Sequence, residues 1–390
     1  MRREHFVLYA AIGVVALMLV AVLGRSGRRR GPVSGGHIQQ PTTQSLAGGS
    51  ALRGLAMELY HPDPRYRYER ELTELAQLRS QIVCISVRGW QEDVNSSRIF
   101  IDHAAMPTEE ALVAVMRRAR QLGMQVLLMP IVLLRDTNAV DDWRGVIAPR
   151  YWERWWESYQ RFIVHYARLA EEAGAEMFCV GSELLSTESM RQRWQETIAA
   201  VRAVYFGRVL YSANWDHYVA VSFWDDLDLI GMTAYHKMTE HDAPTLEELR
   251  RKWKEIKGEI LAWQQWQGKQ IVFTEAGYPS QDGCAREPWN YYGSTRVDLE
   301  EQYVCLRALF EAWSGEPAVA ALCVWKWEDG GGPDDTNYTP RGKPSMELVR
   351  RWLLGGPLLG PSDEGVSDQV EGHRETLPST FDIGPVPFDK

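Results

Sequence analysis

Short apolar runs rich in β-branched residues alternate along this chain with longer segments of helical spacing. The runs fall at residues 52–59, 82–87, 125–131, 177–180, 209–213, 227–234, 270–274 and 320–324. Between them, apolar residues recur three and four apart at 65–79, 108–122, 151–173, 187–205, 245–266 and 295–313. A shorter stretch at 218–224 and a last one at 345–354 bring the predicted helices to eight. Runs of four to eight residues suit buried strands, and the 3.6-residue period suits amphipathic helices. Strand–helix alternation implies parallel βαβ units. Eight of each within residues 51–355 predict an α/β fold, a single (β/α)8 TIM barrel. A doubly wound open sheet would carry a glycine-rich phosphate turn after its first strand, and this chain has no GxGxxG there.

The flanks break this pattern. Residues 6–23 are an apolar run of eighteen behind Arg2 and Arg3, long enough for a membrane-spanning helix. A cleaved signal peptide is the rival reading, but no small-residue cleavage pattern follows. Residues 1–24 are therefore expected to anchor the protein in a membrane through an N-terminal transmembrane helix. Arg25, Arg28, Arg29 and Arg30 favour a cytoplasmic body, whereas polymer degradation would favour an extracytoplasmic one. Residues 25–50, rich in Gly, Ser, Gln and Thr, read as a flexible linker, and 356–390 as a disordered acidic tail.

Composition narrows the class. The net charge of −9 argues against nucleic acid as a partner. Sixteen Trp residues is a high count; surplus Trp can be core, but flat aromatic faces also suit the apolar faces of sugar rings. Of five cysteines, Cys84, Cys179 and Cys323 lie in predicted strands and read as buried free thiols. There is no Walker A sequence, HExxH or CxxC, and His61 and His236 lack a second ligand at metal spacing. No cofactor or metal is expected, and the protein is expected to be a monomer.

Chemistry in such a barrel sits at the C-terminal ends of the strands. The fourth predicted strand delivers Glu183 and the seventh delivers Glu275. Two carboxyl groups on two strand ends are the minimal equipment for hydrolysing a glycosidic bond. The other ends are polar too, carrying Glu58, Arg88 with Trp90, Asn214 with Trp215, Tyr235, and Trp325 with Trp327. Strict alternation would turn Glu183 inward with Cys179 and Gly181, Tyr235 inward with Thr233 and Gly231, and Lys326 outward. It decides less for Glu275, which would share a face with Phe273.

A set of motifs in barrel order then becomes informative: Trp143-Arg-Gly145, Trp155-Trp-Glu-Ser-Tyr159, Gly181-Ser-Glu-Leu184, Tyr211-Ser-Ala-Asn-Trp215, Asp228-Leu-Ile-Gly-Met-Thr-Ala-Tyr235, Phe273-Thr-Glu-Ala-Gly-Tyr278 and Trp325-Lys-Trp327-Glu. With these, the chain resembles the retaining glycosidases of the large barrel clan, and within them glycoside hydrolase family 113, known for β-1,4-mannanases. The resemblance covers residues 51–355. It implies Glu183 as acid/base, Glu275 as nucleophile, and a β-linked, mannan-like carbohydrate as substrate. Ser182 departs from it, standing where many members of the clan carry Asn before the acid/base.

On this reading Glu183 should hold its proton beside anionic Glu275. Tyr235 would hold the nucleophile, and Arg88 would support its charge. Asn214 would meet a sugar hydroxyl, and Trp325 or Trp327 would form the stacking floor next to the scissile bond. Trp90, Trp143, Trp215 and Trp289 would serve more distant subsites, with Glu58 as a further contact. Trp155, Trp156, Tyr159, Phe162 and Tyr166 have helical spacing and read as core. The alternative is a catalytically silent, glycan-binding barrel of the cell envelope. An isomerase or aldolase would need a strand-end Lys or a phosphate loop, which an outward Lys326 does not supply.

Overall fold

A computed structural model of the protein describes residues 51–358, except residue 140. The anchor and linker expected at 1–50, and the tail from 359 on, lie outside the described residues. Among the described residues no helix is long and apolar enough to cross a membrane.

The chain runs β1 (Leu52–Glu58), α1 (Glu69–Gln77), β2 (Ile82–Gln91), β3 (Ile99–Phe100), α2 (Glu109–Gln121), β4 (Gln125–Leu134), α3 (Trp152–Ala173), β5 (Met177–Ser182) and α4 (Arg191–Arg202). It continues β6 (Arg208–Ala213), β7 (Leu229–Thr233), α5 (Leu246–Gln267), β8 (Ile271–Ala276), α6 (Leu299–Trp313), β9 (Val319–Trp327) and α7 (Pro344–Leu354). Eight strands are parallel neighbours in the order β1-β9-β8-β7-β6-β5-β4-β2, and β1 pairs with β2 to close the barrel. The two-residue β3 adds an antiparallel lip to the end of β2. All eight predicted barrel strands are present, so β5 and β8 are the fourth and seventh strands of the barrel.

Two helical expectations change. The stretch at 218–224 forms 3₁₀ turns at Tyr218–Ala220 and Trp224–Asp226 instead of an α-helix. Thr187, expected to open the fourth helix, closes the 3₁₀ turn Leu185–Thr187, its hydroxyl donating back to the Leu184 carbonyl at 2.7 Å. The helix proper starts at Arg191.

The core has two shells. Inside the barrel lie small or slender side chains such as Ala56, Cys84, Cys179, Ala321 and Cys323. Outside, larger ones seal the strands against the helices, and the α3 aromatics Trp155, Trp156, Tyr159, Phe162 and Tyr166 belong to this layer. Trp155 stacks on Tyr159 with ring centroids 5.0 Å apart, and Trp194 stacks on Phe223 at 4.7 Å. Each such burial stabilises the fold by roughly 1.5–3 kcal/mol. All five cysteines are buried free thiols.

Near the C-terminal rim, strict alternation fails in three strands. Between Cys179 and Ser182, β5 uses three steps where β6 uses two. Between Phe273 and Ala276, β8 uses three steps against two in β9. Between Val324 and Trp327, β9 uses three against two in β1. Each is a β-bulge, one extra residue that re-aims the side chains beyond it. Gly181 therefore faces outward, where a Cβ would lie 2.7 Å from both Trp194 and the Tyr159 hydroxyl.

That close approach yields a paired expectation. Gly181→Ala should lose about 1–3 kcal/mol by overpacking. Gly258→Ala, in the interior of α5 with nothing within 4 Å of the added methyl, should gain about 0.5–1 kcal/mol. Urea midpoints of the two variants measure both. Equal midpoints would contradict the outward placement of Gly181.

Candidate active site

Glu183 follows β5 directly, with a left-handed backbone (φ 52°) and its N–H donating to the Ser212 carbonyl at 2.8 Å. One carboxylate oxygen accepts from the Thr233 hydroxyl at 3.1 Å, and the other accepts from the Arg144 guanidinium. Glu275 sits within the β8 bulge, where its oxygen accepts from the Tyr235 hydroxyl at 3.0 Å. Both glutamates are about 95% buried, with 6% and 5% of their surface exposed. The parity argument for Glu183 therefore fails in its reasoning, because the bulge sends Gly181 outward. The left-handed turn after Ser182, not a shared face with Cys179, carries Glu183 into the cleft.

The cleft above them encloses about 910 Å³. Of the predicted site residues, Glu58, Arg88, Glu183, Asn214, Trp215, Tyr235, Glu275 and Trp325 line it together, and Trp143 and Trp289 join them. One wall is aromatic: Trp215 stacks on Trp289 at 5.6 Å, and Tyr291, Tyr292 and Tyr338 extend the surface. Asn214 lines the cleft, with one amide N–H donating to Asp216 at 2.7 Å.

Several expectations are corrected. Trp327 does not reach the cleft; the β9 bulge turns it outward into the core, 2% exposed, with its indole N–H donating to Glu74 at 3.1 Å. Lys326 faces the cleft instead of pointing away, and its peptide bond with Trp325 is cis. Trp90 stays on the lip beside β3, 6.0 Å from the Arg135 guanidinium, and does not line the cleft. Arg88 supports Glu58, not the nucleophile candidate, with a 2.7 Å hydrogen bond. Lys326 donates to the other Glu58 oxygen at 3.0 Å and also meets Glu328 at 3.1 Å. Ser182 is buried, does not line the cleft, and its hydroxyl has no partner among the described residues.

Arg144 was missed as a site residue. It lies in the loop after β4 beside Asp141 and Asp142, where an Arg in an acidic stretch reads as a solvated ion-pair partner. The signal available was its place in Trp143-Arg-Gly145: Gly145 packs so tightly on Trp143 that a Cβ would fall 2.3 Å from the ring.

Charge in the site is unevenly held. Burial and the adjoining negative charge of Glu183 push the Glu275 carboxyl up to about 8, against the opposing pull of Arg144 and the Tyr235 hydrogen bond. The upward shift thus falls on Glu275, the carboxyl that the sequence expected to be the ionised one. Arg144 pairs directly with Glu183 and acts on Glu275 only through space, against the larger effect of burial. For Glu58, burial alone would raise the carboxyl, but Arg88 and Lys326 outweigh it and hold it below the ordinary range. His236 is buried between Trp215 and Trp253, and burial lowers it to about 4, so it is neutral near pH 7. His61 lies under the Tyr66 ring at 4.1 Å, outside the cleft.

Away from the cleft, Asp282, Asp298 and Glu301 come together, but their oxygens already fasten the loop after β8. Glu301 accepts from the N–H groups of Gly283 and Ala285, at 2.8 and 2.9 Å. Asp298 caps α6, and Asp282 pairs with Arg296.

A closed parallel barrel carrying two buried carboxyl groups at the rims of its fourth and seventh strands is the architecture of barrel glycoside hydrolases. The chain belongs to Glycoside Hydrolase Family 113, whose profile matches residues 65–340. A GH113 β-mannanase from Alicyclobacillus acidocaldarius, solved in complex with ManMIm, is similar at 28% identity and TM-score 0.71, covering 79% of this chain and 98% of that one. A GH113 β-1,4-mannanase complex matches at 25% identity and TM-score 0.70, over 78% of this chain and 99% of that one. An endo-β-1,4-mannanase from Thermotoga petrophila shares the fold at 12% identity and TM-score 0.52, over 78% and 76% of the two chains. Comparison with curated proteins returned no match.

The raised Glu275 carboxyl has a stability consequence whose sign is fixed. Between its ordinary value of 4.5 and about 8, the folded protein keeps a proton that the unfolded chain has released. Folding stability should therefore fall as pH rises through that window. Glu275→Gln should flatten this part of the Tm–pH curve. A parent curve as flat as the variant's would remove the assignment.

Proposed function

We propose that this protein hydrolyses a β-linked, mannan-like polysaccharide or oligosaccharide with retention of configuration, Glu275 acting as nucleophile and Glu183 as acid/base. The observation that carries the reading is that two buried carboxyl groups from the fourth and seventh barrel strands line one cleft. A site that merely bound glycan would gain nothing from burying two acids that have one cation, Arg144, between them, since burying charge is costly. Membership of family 113 and the likeness to β-1,4-mannanases favour mannan as the polymer.

In the reacting form Glu183 carries a proton and Glu275 is ionised. The Glu275 carboxylate attacks the anomeric carbon as the glycosidic C–O bond breaks, and Glu183 gives its proton to the leaving oxygen. A glycosyl ester on Glu275 results. Glu183, now a carboxylate, takes a proton from water as that water attacks the anomeric carbon and frees Glu275. Arg144 stabilises the Glu183 anion formed midway. Tyr235 fixes the carboxylate rotamer of the nucleophile, and Trp325 offers a face for the adjacent sugar ring.

A neutral sugar suits the cleft better than a uronate. Its three cations are all committed, Arg88 and Lys326 to Glu58, and Arg144 to Glu183. With residues 1–24 as a membrane anchor and 25–50 as a tether, the domain would work at the extracytoplasmic face, where polymers lie.

Hydrolysis of defined β-1,4-mannooligosaccharides, followed by NMR of the product anomers, tests the reading. The β-anomer should appear first, and Glu183→Ala should lower kcat by about 10²–10⁴-fold, with Glu275→Ala at least as severe. No cleavage of β-mannan, β-glucan or aryl glycosides by the parent, or an α-anomer first, would overturn it.

A further inference from the structure

Five residues beyond Glu183 lies a carboxylate that the proposed chemistry does not use. Glu188 is fully buried, outside the cleft, on the turn leading into α4. One of its oxygens accepts from the Tyr211 hydroxyl at 2.7 Å, and the other faces Nδ1 of His217. The same Tyr211 oxygen accepts the N–H of Leu184 at 2.8 Å. A continuous relay thus runs from the backbone immediately after Glu183, through a buried phenol and a buried carboxylate, to a half-exposed imidazole.

Each end of the relay is attached to the site. Leu184 is the next residue after a glutamate held at φ 52°, whose own N–H is fixed by Ser212. His217 closes the loop after β6, its N–H donating to the Asn214 carbonyl at 2.9 Å. That loop carries Asn214, Trp215 and Asp216 along the cleft wall. The Glu188 carbonyl ties in a third segment, accepting from the N–H and hydroxyl of Ser222 at 3.1 and 2.7 Å.

Apolar residues of the same volume would fill this space at lower desolvation cost. They would not supply an acceptor for the Leu184 N–H, and a left-handed residue with a free peptide on one side has no fixed side-chain direction. Resting on the glycosidase reading above, we propose that Tyr211, Glu188 and His217 are positioning residues for the acid/base. They clamp the peptide C-terminal to Glu183 and couple it to the Asn214–Asp216 wall.

The test exploits the fact that kcat/KM reports the glycosylation step, in which Glu183 acts as the acid, whereas its role as base falls in the later hydrolysis of the glycosyl ester. A mannooligosaccharide has a poor leaving group that must be protonated, whereas a dinitrophenyl β-mannoside expels its phenolate unaided. Tyr211→Phe keeps the ring that packs on Trp194 and Phe223, at 5.1 and 5.2 Å, and deletes the hydroxyl. It should lower kcat/KM on the oligosaccharide by about 10–100-fold, the loss of the two buried hydrogen bonds that this hydroxyl makes, through kcat and not KM. The kcat/KM of the dinitrophenyl substrate should fall far less, because its glycosylation needs no acid. Glu188→Gln, which can still accept from Tyr211 and donate to neutral His217, should lose less than Glu188→Ala. His217→Ala, at a half-exposed site, keeps the test available should a core variant fail to fold.

Parallel losses on both substrates would overturn the proposal, since a packing defect alone does that. Hydrogen exchange at the Leu184 amide provides a readout without turnover. Faster exchange in Tyr211→Phe supports the clamp, and unchanged exchange overturns it. Should the parent cleave neither substrate, the glycosidase reading falls, while the Leu184 amide still decides whether the relay holds this peptide.

Discussion

Three single-residue insertions at the rim of the barrel govern what this protein can do. Strand alternation permits one side chain in two to face the interior. The bulges in β5, β8 and β9 suspend that rule near the C-terminal ends, where a barrel keeps its working residues. In β8 the extra residue lets Glu275 turn into the cleft although Phe273, on its nominal face, packs against the helices. In β9 it brings Trp325 and Lys326 to the cleft together and sends Trp327 into the core. In β5 it frees Gly181 to close against Trp194 and leaves Glu183 to enter the site from a left-handed turn.

Charge is the second constraint. The site buries carboxyl groups that could not remain ionised alone, and each is matched with a partner from a different strand or loop. Glu58 has Arg88 and Lys326, Glu183 has Arg144, and Glu188 has Tyr211 and His217. Glu275 alone is left with a hydroxyl in place of a paired cation, and burial beside Glu183 raises its carboxyl to about 8.

Much of this was legible from residues alone. The eight strand runs, the α3 aromatic core and the buried thiols all follow from local apolar patterning, which is what helix and strand periods encode. Glu183, Glu275, Tyr235 and Trp325 were legible because strand ends can be located from where such runs stop. Trp327 and Lys326 were misread because both assignments assumed unbroken alternation, and a bulge leaves no distinct local signature; Trp90 was placed at the rim from the end of its strand, where the short β3 pairs beside it. Arg144 and the loop tyrosines at 291, 292 and 338 were not found because loop residues carry no period from which a direction can be inferred.

By itself, then, the sequence determined the barrel, its strand count and the two strands that carry the acids, since burial of apolar surface is set by local pattern. Only the tertiary structure decided which way the rim side chains point, which acid meets Arg144, and that Glu188 braces the peptide after Glu183. Those outcomes depend on register between strands that are distant in sequence, and on electrostatic pairing across the barrel mouth. No single segment contains that information, because each partner is supplied by a different one.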